Sequence, residues 1–220
     1  MKHQTLRLTE TGVLLGIAAV LTVIQPFRLP FGGGITIASM LPVVLLSYRY
    51  GVKWGLFSAF VFSLIQIATD FGNVRGFFLP QDALSTMQVL GMGICIVLLD
   101  YVAAYMVLGL GGLFRKRLSP SLALGLGTFT ALGLRYLVHI ISGTLFFGSW
   151  AEWFFTQEGF YAIGDVIMAH CSGTELALIY SVFYNGLYMI PEILLTTIAA
   201  LIVARVPYLA KKREPAAAAA

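Results

Sequence analysis

Charge is what this sequence has least of. Only 11% of its 220 residues are Asp, Glu, Lys or Arg, where a soluble globular domain carries roughly a quarter. That scarcity excludes a water-solvated domain as the bulk of the chain. Cysteine is nearly absent as well. Cys95 falls inside an apolar run and Cys171 in a loop, with no Cys-x-x-Cys pair and no histidine at ligand spacing. A disulfide framework and a metal site are both excluded on that count. Also missing are a Gly-x-x-x-x-Gly-Lys phosphate loop, a His-Glu-x-x-His pair and a Gly-x-Ser-x-Gly elbow. No two-fold hydropathy repeat points to an alternating-access secondary transporter. We therefore expect no catalytic residue and no cofactor. If the chain moves a solute uphill, the energy comes from partner proteins.

What is present is apolar. Hydrophobic residues make up 59% of the chain and the mean hydropathy is +0.88. A bilayer core takes about 20 apolar residues per helical crossing, which leaves room for roughly six or seven spans. Apolar runs separated by Gly, Pro or charged clusters place helices near 9–26, 35–48, 52–70, 87–113, 121–147 and 176–204. The expected fold is an all-α membrane protein, a six-transmembrane-helix bundle forming one domain over residues 1–210. Residues 211–220 read as a disordered tail. The opening segment carries Lys2 and Arg7 ahead of an apolar stretch. No small-residue cleavage site follows, only Gln25-Pro26-Phe27-Arg28, so it reads as a retained first helix. The second run is short, and its flank Pro30-Phe31-Gly32-Gly33-Gly34 suits non-helical backbone lining a cavity.

The basic residues orient the bundle. With both termini in the cytoplasm, Lys2, Arg7, Arg49, Lys53, Arg115, Lys116, Arg117, Arg205, Lys211, Lys212 and Arg213 lie inside. That is eleven of the fourteen Lys and Arg residues. The formal charge of +4 is then a topology signal and implies no nucleic-acid partner. The outer side holds Asp70, Asp82, Glu152, Glu158, Asp165 and Glu175. Two outer connections, 71–86 and 148–175, are long. The second is aromatic, with Trp150, Trp153, Phe154, Phe155, Phe160 and Tyr161, and reads either as an interfacial belt or as a lid over a ligand.

An ionisable group within a span costs at least ~2.5 kcal/mol near the bilayer centre, which makes each one a candidate functional residue. Here they are Asp100, Arg135, His139 and Glu192, with Asn185, Tyr101, Tyr180 and Tyr184 nearby. Arg135, His139 and Gly143 recur every four residues and share one helix stripe. Asp100 and Arg135 could simply neutralise each other; His139 and Asn185 could simply hold helices together. Glu192, next to Pro191, suits a freed backbone group better than a ligand. A carboxylate under aromatic faces otherwise fits a cationic or hydrogen-bonding heteroaromatic. On the first helix, Gly12-x-x-x-Gly16 followed by Ala19 permits close approach of another helix, from this bundle or from a partner.

Several segments carry a family resemblance. They are Arg7-Leu8-Thr9-Glu10, Met40-Leu41-Pro42-Val43, Ser47-Tyr48-Arg49-Tyr50-Gly51-Val52-Lys53, Leu98-Leu99-Asp100-Tyr101-Val102-Ala103, Leu134-Arg135-Tyr136, His139-Ile140-Ile141-Ser142-Gly143 to Phe147-Gly148-Ser149, and Tyr180-Ser181 with Tyr184-Asn185-Gly186-Leu187-Tyr188-Met189-Ile190-Pro191. In order along nearly the whole chain, they resemble the thiamine-specific substrate-binding (S) components of energy-coupling factor transporters. The resemblance implies a plasma-membrane protein of a prokaryote that captures thiamine or a close analogue. It also implies partners: a transmembrane coupling protein and two ATPase subunits. By the same resemblance Asp100, Tyr101, His139, Gly143, Phe147, Tyr180 and Asn185 bind ligand, and Gly12 and Gly16 dock the coupling protein. The sequence departs from the family where relatives can place a ligand-stacking Trp, reading Gly32-Gly33-Gly34, and in its longer outer connections. Alternatives are an S component for another vitamin or a thiamine precursor and, more remotely, an intramembrane enzyme using Asp100 and His139.

Overall fold

The computed structural model describes residues 2–29, 32–81 and 84–212. Asp82, the Pro30-Phe31 part of the glycine flank and all but the first two residues of the expected tail lie outside them. Among the described residues five helices are long and apolar enough to cross a membrane: Gln4–Val23, Val52–Thr69, Thr86–Gly112, Pro120–Phe146 and Gly173–Val203. The first belongs to α1 (Lys2–Val23), and the second is α3 (Val52–Thr69). The third is a composite of α5 (Thr86–Ile96), a π turn (Val97–Ala103), α6 (Ala104–Met106) and a 3-10 turn (Val107–Gly112). The fourth is α7 (Pro120–Phe146) and the fifth α10 (Gly173–Val203). Large apolar side chains point outward from them, among them Val20, Phe57, Phe129, Leu145, Leu194 and Ile198. Such an exterior is what lipid tails solvate in place of water.

The run expected as a helix over 35–48 divides differently. Its first residue, Ile35, ends a two-stranded antiparallel hairpin, β1 (Phe27–Arg28) with β2 (Gly34–Ile35), pairing Phe27 with Ile35 and Arg28 with Gly34. The helix itself, α2 (Leu41–Tyr50), begins only at Leu41, with Pro42 at its first turn. At ten residues it extends about 15 Å, half the thickness of a hydrocarbon core. Leu41 to Arg49 are all buried, so α2 forms the centre of the bundle rather than a lipid-facing wall.

The helices around α2 approach at small residues. Ser47 Oγ donates to the carbonyl of Gly109 and accepts from Gly112 N at 2.9 Å, stitching α2 to the 3-10 turn. A Cβ on Gly127 would stand 2.0 Å from the Gly111 carbonyl oxygen, so α7 and the 3-10 turn touch backbone to backbone. The long pair α7 and α10 shares the most extensive interface. Pro191 sits inside α10 without ending it. Where α1 begins, Arg49 is 1% exposed and donates to Glu10 at 2.7–3.1 Å and to the carbonyls of Tyr208 and Leu209. Tyr50 also donates to Glu10. Satisfying both charges this fully is the condition under which a buried ion pair is tolerated.

The two connections expected to be long and outer, 71–86 and 148–175, contain helices among their described residues. The first contains α4 (Phe71–Gly76), and α5 then opens with a capping box, Ser85 accepting from Gln88 N while the Gln88 side chain accepts from Ser85 N. The second contains α8 (Ala151–Phe155) and α9 (Tyr161–His170). Its aromatics divide: Phe154 and Phe155 are buried, whereas Tyr161 is 56% exposed. Phe154 lies 4.5 Å from Phe160, 5.4 Å from Tyr180 and 5.8 Å from Tyr184, ring centroid to centroid. This small second core is continuous with the upper part of α10.

Candidate functional site

Asp100 and Tyr101 sit in the π turn that interrupts the third span. A π turn fits an extra residue per hydrogen-bonded ring and is common at functional sites. Here it lets two consecutive side chains reach the same cavity. From α7, His139 and Ser142 meet the carboxylate: His139 Nδ1 lies 2.9 Å from Asp100 Oδ1, and Ser142 Oγ donates to Oδ2 at 2.8 Å. Both carboxylate oxygens are thus occupied on one side. With Nδ1–H donating to the carboxylate, Nε2 carries the imidazole lone pair. That Nε2 has no hydrogen-bond partner among the described residues.

Arg135, one turn before His139, does not neutralise Asp100. Its Nη1 donates to Met40 Sδ at 2.6 Å and its guanidinium lies 4.2 Å from the centroid of the Tyr105 ring. Asp100 is thus held by His139 and Ser142 rather than by Arg135. Glu192 is fully buried and accepts from Thr36 N at 2.6 Å and Thr36 Oγ1 at 2.7 Å. It satisfies a backbone group, that of the chain just after the hairpin, and so fixes the hairpin to α10.

Asn185 donates through Nδ2 to Ser181 O at 2.9 Å and to His139 O at 3.3 Å, joining α10 to α7. Gly143 lies against Ser181, whose hydroxyl donates to Ile140 O at 2.9 Å. These contacts draw the two helices together immediately beside the imidazole. The Tyr180 ring lies tilted against that of Tyr184 with centroids 5.5 Å apart, and the Tyr184 hydroxyl donates to Gly32 O at 3.1 Å. Phe147, at the end of α7, meets Phe77 edge-on at 6.1 Å.

Around these groups lies a cavity of about 1030 Å³, at the upper end of the roughly 300–1,000 Å³ found for small-molecule sites. Asp100, Tyr101, His139, Gly143, Phe147, Tyr180 and Asn185 all line it. Sequence reasoning missed other wall residues. Asp70 accepts from Tyr101 Oη at 2.6 Å, from Asn73 at 2.8 Å and from Arg28 of the hairpin at 3.1 Å. Tyr105 and Tyr188 also line the cavity. Asp70 follows α3 directly and resembles any outer-loop acid; its partner Tyr101 is far off in sequence, so no local pattern marks it. Gly12 and Gly16 lie elsewhere, exposed on α1, with open space where their side chains would be. Among the described residues no neighbouring helix of the bundle occupies that stripe. Among the described residues no group of three or more His, Cys, Asp or Glu could hold a metal ion.

Comparison with known proteins bears on what such a cavity holds. A family model described as thiamine transporter protein matches residues 8–155. The thiamine transporter ThiT of Bacillus subtilis (strain 168) is 30% identical over 207 residues, spanning 89% of this chain and 88% of that protein. Among solved structures, ThiT from Listeria monocytogenes superimposes with a TM-score of 0.64 at 18% identity, covering 96% of this chain and 99% of that one. The last likeness is one of fold.

Asp100→Asn removes charge at almost constant volume, so it should weaken a cationic heteroaromatic ligand several-fold or more while the apo protein keeps its thermal midpoint. Calorimetric titration of both forms measures this. Equal affinities would make Asp100 a structural residue only.

Proposed function

The chain belongs to the thiamine transporter protein family, a family of transporters rather than enzymes, and from that premise we propose that it is an S component that captures thiamine from outside the cell. The observation that carries this is the Asp100 carboxylate, held by His139 and Ser142 at the wall of an aromatic-lined cavity. Thiamine joins a cationic thiazolium to an aminopyrimidine. The carboxylate supplies the counter-charge, the rings of Phe147 and Tyr180 supply stacking and cation–π attraction, and the amide of Asn185 and the open Nε2 of His139 supply hydrogen bonds. Tyr101 completes the acid–tyrosine pair, and bare Gly143 keeps the wall beside the imidazole clear.

The proposed membrane arrangement has six helical segments, with α2 as the short central one, and both termini in the cytoplasm by the positive-inside rule. The ligand then enters past the hairpin and α8. The chain carries no nucleotide-binding motif, so the energy for release comes from partners, and the family resemblance implies that these are one transmembrane coupling protein and two ATPase subunits. Gly12 and Gly16 are the docking stripe, and the open space over both glycines is what supports that role. The ligand binds the closed state more tightly than the docked one, since only unequal affinity shifts a conformational equilibrium.

Purified protein titrated with thiamine should show saturable, one-to-one quenching of tryptophan fluorescence, because Trp150 lines the cavity, and no product should form. Absence of any response, together with turnover of a lipid or prenyl substrate, would reject the proposal. Gly12→Leu combined with Gly16→Leu should leave that quenching unchanged and abolish co-purification with the coupling protein and ATPases. Retained co-purification would place docking on another face.

A further inference from the structure

Tyr188 stands on α10 close to one turn beyond Asn185. It is 5% exposed and lines the cavity. Its hydroxyl donates to Asn185 Oδ1 at 2.7 Å, and its ring meets that of His139 edge-on with centroids 6.0 Å apart. Against it also rests the hairpin backbone. A Cβ on Gly33 would fall 2.5 Å from Tyr188 Cε1 and 2.7 Å from Cδ1. Gly33 has φ +81°, a conformation in which other residues are strained. The hairpin can close against this ring only because residue 33 has no side chain, and the neighbouring Tyr184–Gly32 hydrogen bond holds it there.

The geometry points to Tyr188 as a ligand-stacking residue, its ring forming the cavity wall between the hairpin and His139, with Gly33 as the notch that seats it. The ligand class is a flat, cationic or amine-bearing heteroaromatic. A phenol ring at this position offers such a ligand a stacking surface and a quadrupole that attracts positive charge. Hydrogen-bonded at its hydroxyl and backed by the hairpin, the ring is held in place before ligand arrives, which lowers the ordering cost of binding. Tyr188 thus provides from α10 the aromatic surface that the Gly32-Gly33-Gly34 segment has no side chains to provide.

This inference rests on the thiamine proposal, and the experiment separates the two. Calorimetric titration with thiamine compares the unaltered protein with Tyr188→Phe, Tyr188→Leu, Gly33→Ala and the Gly33→Ala/Tyr188→Leu double variant, with thermal midpoints of the apo forms recorded alongside. Failure of the unaltered protein to bind thiamine contradicts the parent proposal. Given binding, Tyr188→Phe should stay within about threefold, and Tyr188→Leu should lose about tenfold or more. Gly33→Ala, which pushes the ring off its seat, should weaken binding on its own and add little in the Tyr188→Leu background. The stacking role is overturned if Tyr188→Leu binds like the unaltered protein. It is also overturned if Tyr188→Phe loses as much as Tyr188→Leu, because the hydroxyl bond to Asn185 would then carry the effect. Should Tyr188→Leu not fold, Gly33→Ala with its tyrosine intact decides, and unchanged affinity there contradicts the proposal.

Discussion

A carboxylate placed within the apolar part of a membrane bundle must be compensated, and the arrangement around Asp100 is the form that compensation takes. Burying a lone charge costs several kcal/mol unless partners meet it. Two partners come from a single helix, His139 and Ser142 on α7, and neither removes the negative charge as a guanidinium would. Arg135 is close enough in sequence to have done so, yet it is turned toward Met40 and Tyr105. The consequence is an acid that is oriented without being paired to Arg135, an arrangement suited to meeting a cation.

Two other acids, one buried and one partly buried, each tie a different part of the chain to the bundle. Glu192 binds Thr36 and fixes the segment after the hairpin to α10. Glu10 binds Arg49, linking α1 to α2 and, through the Tyr208 and Leu209 carbonyls, to the chain beyond α10. The first contact lies beside the cavity, and the second lies on the helix that carries the open glycine stripe. Under the proposed function, the ligand cavity and the docking stripe rest on separate polar anchors, with α2 and α3 packed between them.

The long helices were legible because hydropathy over twenty residues is a strong signal. The ends expected at 52–70, 87–113 and 121–147 each fall within a residue of the observed Val52–Thr69, Thr86–Gly112 and Pro120–Phe146. In the segment 35–48 the residues from Leu41 on are helical as expected, but the helix starts six residues later, because hydropathy does not distinguish the apolar end of a hairpin from a helix; three consecutive glycines and a proline at the start of α2 are the features that separate them. The aromatic stretch after α7 hid α8 and α9 for a similar reason, since its residues suit a belt, a lid or a buried helix equally. At the cavity, the four-residue spacing of Arg135, His139 and Gly143 identified one wall from sequence alone. Asp70, Tyr105 and Tyr188 were not legible: a tyrosine in a membrane helix has many ordinary uses, and only the tertiary contacts with Tyr101, Gln66 and Gly33 distinguish them. The π turn has no marker in the sequence that periodicity could detect.

The central claim is that the cation of the ligand is held at the Asp100 carboxylate. A high-resolution structure of the protein with thiamine bound tests it most directly. The expected result is thiamine inside the cavity, with its thiazolium against the Asp100 carboxylate and the His139 ring in contact with it. Thiamine seated elsewhere, or Asp100 turned away from the ligand and closed onto Arg135, would contradict it.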